Sequence, residues 1–122
     1  MPTAFILFAH GARDPEWASP MRRVRAALGL QAPGLRVELA FLEFITPDLR
    51  DCAQWLLADG FERIVIVPMF IAEGGHLKND VPRLIDELQK ANPQSRFELR
   101  CAIGEADSVV RAMAAQVLVE AQ

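Results

Sequence analysis

The stretch FILFAHGARDPEW (residues 5–17) runs apolar for five residues and then presents His10, Gly11, Arg13 and Asp14 in quick succession. A strand that is apolar at every position suits a parallel sheet covered on both faces, because both sets of alternating side chains are then buried. The chain's only other histidine, His76, stands in PMFIAEGGHLKND (residues 68–80) and also follows an apolar run.

Working outward from that first run, four strand-like segments alternate with four helix-like ones. The strands are AFILFA (4–9), RVELAFLE (36–43), RIVIVPMFI (63–71) and RFELRCAI (96–103). The first and third are almost wholly apolar. The second and fourth carry charges (Arg36 and Glu38, Glu98 and Arg100) and belong at the edges. Thr46-Pro47 reads as a cap and first helical position, Leu49, Ala53 and Leu56 as an apolar stripe, and Gly60 as the stop. Val81, Leu84, Ile85 and Leu88 follow helical spacing, and so do Val110, Met113, Ala114 and Val117. The first helix has two candidate starts, Asp14-Pro15 and Ser19-Pro20, and Asp80 reads as an N-cap.

This rhythm predicts an α/β fold with right-handed crossovers, a flavodoxin-like, four-stranded parallel sheet with helices on both faces. Central apolar strands and mixed edges give the order 2-1-3-4, whose switch point lies between strands 1 and 3. Ligands bind such sheets beyond the carboxyl ends of the strands at that point. His10 follows strand 1 and His76 follows strand 3, so both are expected at one crevice, with Glu43 at the end of strand 2 beside them.

The 122 residues suit one domain, 1–122, and at that length about two-thirds of the unfolded surface is buried. A net charge of −3 argues against a general nucleic-acid or anionic-membrane surface. No apolar run reaches the ~18 residues of a membrane span, and the N-terminus lacks the pattern of a signal peptide. Cys52 and Cys101 lack metal-ligand spacing and read as buried free thiols in a reducing, cytoplasmic compartment.

Two imidazoles and a carboxylate from three loops form a plausible open ligand set for a divalent transition metal. Gly74 and Gly75 would let the backbone approach a bulky ligand or cradle a phosphate. Neither nucleotide-binding glycine signature occurs. Arg13 and Lys78 flank the histidines, either as partners of an anionic ligand or as solvated loop charges. Trp17 and Trp55 are expected to be packing residues, and Glu73 has no assigned role.

AHGARDP, AFLEFITP and PMFIAEGGHLKNDVP resemble the signature segments of the CbiX and SirB type of sirohydrochlorin chelatase, over nearly the whole chain. These class II chelatases insert a divalent metal into a tetrapyrrole without ATP. The resemblance implies His10 and His76 as metal-binding catalytic residues, with Glu43 in the same cavity. Ala12 stands where many members have serine. The resemblance also implies the short form of the family, equivalent to half of the longer members and working as a homodimer. Phe44, Phe70 and Ile71 are then expected at an interface near the carboxyl edge, or else in the core. The implied substrates are sirohydrochlorin, an anionic tetrapyrrole, and Co2+ or Fe2+, for cobalamin or siroheme synthesis, with no permanently bound cofactor. A non-catalytic carrier of metal or tetrapyrrole is the competing reading. A phosphoryl-transfer enzyme with a histidine nucleophile ranks last, because it leaves His76 without a role.

Overall fold

A computed structural model describes residues 1–75 and 77–122. Its strands are β1 (Thr3–Ala9), β2 (Arg36–Phe41), β3 (Arg63–Pro68) and β4 (Arg96–Leu99). They form one parallel sheet in the order β2-β1-β3-β4, as the apolar runs predicted. The helices are α1 (Ser19–Gln31), α2 (Leu49–Ala58), α3 (Leu77–Ala91) and α4 (Asp107–Glu120).

Alternation along the central strands splits the core in two. Ala4, Ile6 and Phe8 of β1 and Ile64 and Ile66 of β3 pack with Leu49, Cys52, Ala53 and Leu56 of α2 and with Val81, Ile85 and Leu88 of α3. On the other face Leu7, Ala9, Val37, Leu39 and Phe41 pack beneath Ala18, with Met21, Val24 and Leu28 of α1 half-buried against them. Helix α4 contributes no buried residue.

Several local signals resolve differently from their sequence reading. Both candidate starts of the first helix are used. The Asp14 side chain accepts from Glu16 N–H and caps a 3-10 turn, Pro15–Ala18, and α1 follows directly with Pro20 in its first turn. Thr46-Pro47 does not cap α2. Its peptide is cis, and the Pro47 carbonyl accepts from Phe41 N–H, so the chain is still tied to the sheet there. Asp48 takes the cap instead, its carboxylate accepting from Asp51 N–H at 2.8 Å. Gly60 stops α2 as expected: Phe61 N–H reaches Leu56 O and Gly60 N–H reaches Leu57 O, the paired bonds of a Schellman end. Asp80 lies inside the first turn of α3 rather than before it, and Pro82 lies within the helix. The acid there faces the positive end of the helix dipole, which explains its preference for that turn without a capping role.

The strands also end earlier than their apolar runs. β4 stops at Leu99, and Cys101 beyond it is exposed, which corrects the expectation that both thiols are buried; Cys52 is buried. The charges of the edge strands neutralise one another. Glu38 pairs with Arg25 and Arg36, and Glu98 with Arg63, Arg96 and Arg100. The hydrogen-bonded guanidinium of Arg63 holds the Glu98 carboxyl below the usual carboxylate range.

Candidate metal and tetrapyrrole site

β1 and β2 keep their parallel bonding beyond the last strand residues. Leu42 N–H donates to Ala9 O at 2.9 Å and Glu43 N–H to His10 O at 3.1 Å. This continuation sets His10 and Glu43 on adjacent strands just past the carboxyl edge. Their side chains meet there, with His10 Nε2 3.4 Å from Glu43 Oε1 and each about half exposed (48% and 49%). The separation exceeds the ~2.7–3.2 Å of an ordinary N–H···O bond. The pair is therefore close enough to share a proton or a metal ion while both groups stay open to solvent.

Gly11 makes the approach possible. A Cβ at that position would lie 1.9 Å from the Glu43 carbonyl oxygen, and the backbone has φ +94°. No side chain fits this space, so the loop after β1 can lie directly on the loop after β2 only with glycine here. The facing loop is also unusual. Phe44 has φ +68°, and Ile45 N–H returns to Glu43 O at 2.9 Å, closing a three-residue turn centred on an aromatic residue. A bulky residue in that region is strained and must be held by its surroundings. Holding comes in part from Arg13, whose guanidinium carbon lies 4.6 Å from the Phe44 ring centroid.

Phe70, just beyond β3, supports the imidazole from below. Its ring meets His10 edge-on at 6.4 Å and Phe8 at 6.2 Å, linking the site to the α2–α3 core. The structure thus places Phe70 in packing, whereas Phe44 and Ile71 are exposed. Gly74 and Gly75 are exposed on the connection from β3 to α3, Gly75 with φ +55°, and Glu73 before them is half-buried. Lys78 is exposed in the first turn of α3. All of these lie at the same end of the sheet as His10. His76 lies outside the described residues. Among the described residues no three His, Cys, Asp or Glu side chains are grouped to hold a metal ion. Of the expected packing tryptophans, Trp55 is 56% exposed and lines an open depression of about 290 Å³ beside Pro47, while Trp17 is also exposed.

Gly11, Phe44 and Phe70 escaped the sequence reading as site-building residues. Only the juxtaposition of glycine with the histidine hinted at the first of them.

No helix among the described residues is long and apolar enough to cross a membrane. The CbiX family model matches residues 4–119. A sirohydrochlorin cobaltochelatase from Saccharolobus islandicus is 40% identical over 80 residues, which make up 66% of this chain and 61% of that protein. The chain thus matches less than two thirds of that relative's length. A sirohydrochlorin cobaltochelatase from Sulfurisphaera tokodaii is 31% identical over 84 residues, 69% of this chain and 68% of that protein. Among solved structures, a putative cobalamin biosynthesis CbiX protein from Marinobacter aquaeolei superposes with a TM-score of 0.84 at 27% identity, covering 98% of this chain and 97% of that one. The sirohydrochlorin chelatase SirB of Bacillus subtilis, solved with cobalt, superposes with a TM-score of 0.81 at 22% identity, over 96% of this chain and 50% of SirB, and shares the fold. With the sheet order, the histidine at the switch point and a family match from the first strand to the last helix, the chain belongs to the CbiX family.

Proposed function

We propose that this chain is a lyase that inserts a divalent metal into sirohydrochlorin without ATP, with Co2+ the favoured metal and Fe2+ the other candidate. The observation that carries the reading is the His10–Glu43 pair, open to solvent at the carboxyl edge of a CbiX-family sheet. The sirohydrochlorin cobaltochelatase names of relatives in two genera support the substrate and favour cobalt. The product would enter cobalamin synthesis, or siroheme synthesis if the metal is iron.

Insertion exchanges two pyrrole N–H protons for one divalent cation, so charge balances only if the site removes both protons. Neutral His10 can accept a pyrrole proton at Nε2 and pass it to Glu43, 3.4 Å away and open to solvent, so that the pair can carry off the two protons in turn. His76, the chain's other imidazole, supplies the second nitrogen ligand in this reading. The metal is a substrate, so a set with open positions suits delivery better than a closed four-ligand site. Arg13, Lys78 and the backbone at Gly74 and Gly75 receive the macrocycle's carboxylates and flank. The protein works in the cytoplasm, where its two free cysteines stay reduced. It acts as a homodimer of 1–122 domains, because one open carboxyl edge walls a planar macrocycle on one side only. A nucleic-acid or membrane partner has no part in this scheme.

The test is anaerobic incubation of sirohydrochlorin with Co2+, Fe2+ or Ni2+ in turn, the protein present at a small fraction of the macrocycle, followed by absorption. Repeated turnover with Co2+ or Fe2+ is expected; product that stops at one equivalent of protein would make it a carrier. His10→Ala and His76→Ala should each lower the rate by about 10²–10⁴-fold while leaving the fold intact. Glu43→Gln should cost less, since shape is kept and only charge is removed. Gly11→Ala should approach the His10→Ala loss, because the new Cβ collides with the Glu43 carbonyl.

A further inference from the structure

Two large apolar side chains stand in water at the carboxyl edge of the sheet, one past β2 and one past β3, with His10 on the strand between. Phe44 follows β2 and is 56% exposed; Ile71 follows β3 and is 75% exposed. Both are fixed by the backbone rather than by their own burial. Phe44 keeps φ +68° in the turn closed by Ile45 N–H on Glu43 O, a conformation that bulky residues avoid. Ile71 is held by the segment after β4. Gly104 N–H donates to Phe70 O at 3.0 Å, and a Cβ on Gly104 would lie 2.2 Å from Ile71 O and 2.4 Å from Ile71 Cα. Only glycine lets the two segments lie so close. A strained turn that ends in an exposed ring, beside a group able to move protons, presents that ring to a ligand rather than to the core.

The arrangement matches the build of a tetrapyrrole, which has polar nitrogens at its centre, a flat conjugated surface around them and carboxylates at its rim. The proton-accepting pair His10–Glu43 stands just past β1 and β2, with Phe44 next in the chain and Ile71 beyond β3. In the order β2-β1-β3, the strands that lead to Phe44 and Ile71 are two spacings apart, about 10 Å, the scale on which opposite pyrrole rings are separated. Arg13 lies against the Phe44 ring, so a cation borders the aromatic surface, as a rim carboxylate requires. We propose that Phe44 and Ile71 are the two rests for one face of the macrocycle, Phe44 by stacking and Ile71 by apolar contact, and that together they bring its nitrogens over His10 and Glu43. This rests on the sirohydrochlorin reading above and adds what holds the conjugated ring.

Binding is measured without metal, so that it does not depend on turnover. In anaerobic equilibrium dialysis against sirohydrochlorin, Phe44→Ala should raise the dissociation constant about tenfold, the loss of one stacked ring. Ile71→Ala should raise it about fivefold through lost apolar contact, and Phe44→Tyr should restore most of the affinity. In turnover the loss should fall on KM far more than on kcat, because both side chains touch the macrocycle before and during insertion alike. Unchanged affinity in either alanine variant would overturn the proposal and leave the chelatase reading standing. So would a loss of affinity that accompanies a change from dimer to monomer in sedimentation, since the residues would then be holding a second copy. Binding by the unaltered chain that both variants weaken, without repeated turnover, keeps the rests and makes the chain a carrier. No binding by the unaltered chain ends both readings. Phe44→Gly separates strain from contact. It should bind as weakly as Phe44→Ala yet unfold at no lower a urea concentration, against the usual order of the two residues, because glycine takes φ +68° freely. A glycine variant that unfolds well before the alanine one would mean that the turn is relaxed, and the proposal would lose its premise.

Discussion

Beneath α2 and α3 the sheet buries Ala4, Ile6, Phe8, Ala40, Ile64, Ile66 and Phe97 against two amphipathic helices, whereas the opposite face is covered by α1 over β1 and β2 and turns to charge at β4. Glu98 there collects Arg63, Arg96 and Arg100, where a fourth helix would find apolar side chains if the face were built for its own α4. The comparison teaches what each face is for. The finished face fixes the frame on which Phe70 and His10 rest, and the unfinished one leaves an apolar helix and an apolar depression without internal partners.

The largest expected effect breaks the comparison at the level of stability. Leu56, fully buried between α2 and the sheet, should lose about 2–5 kcal/mol on truncation to alanine, since the methyl groups leave a cavity the packed helices cannot close. Val67→Ala, on the half-open face, should cost well under half of that in dilute protein, because its side chain is only half-buried there. Urea unfolding of the two variants at the same concentration measures both. Equal losses would mean that the two faces are equally packed in solution.

A smaller and sharper contrast lies in the thiols. In native protein Cys101 should react with an aromatic disulfide reagent at the rate of an open thiol, and Cys52 only on unfolding, so that two thiols titrate in denaturant and one without it. If self-association covers Cys101, its reaction should slow as protein concentration rises. A rate independent of concentration would leave that surface open in the assembled state.

The half of the molecule that was legible in the sequence is the half in which pattern and partner coincide. Continuous apolar runs identified β1 and β3 as central, charge identified β2 and β4 as edges, and the order followed. The stripe of Leu49, Ala53 and Leu56 likewise found its sheet. Val110, Met113, Ala114 and Val117 have the same spacing and are exposed, because periodicity reports that a helix has an apolar face and not what covers it. At the site, strand ends located His10 and Glu43, but their 3.4 Å approach depends on Gly11 having no side chain where the Glu43 carbonyl passes. Such a contact joins loops about thirty residues apart and leaves no local pattern. Thr46 and Asp80 failed as caps for other reasons: the bond from Phe41 N–H to Pro47 O ties the first segment to the sheet, and α3 begins three residues before Asp80.

The smallest effect comes from Cys52 and distinguishes the faces by pH. Burial in the α2–α3 core pushes its thiol up to about 12 from an ordinary value of 9.0. Below about 9 the thiol keeps its proton in folded and unfolded chains alike, and folding is indifferent to it. Above that value the unfolded chain gains by releasing the proton and the folded chain does not, so stability falls as pH rises from about 9 toward 12. Denaturant midpoints taken through that range should decline, and Cys52→Ala, though less stable overall, should decline less steeply. An alkaline slope that Cys52→Ala leaves unchanged would mean that Cys52 reaches solvent in the folded protein, and that the α2–α3 face opens readily.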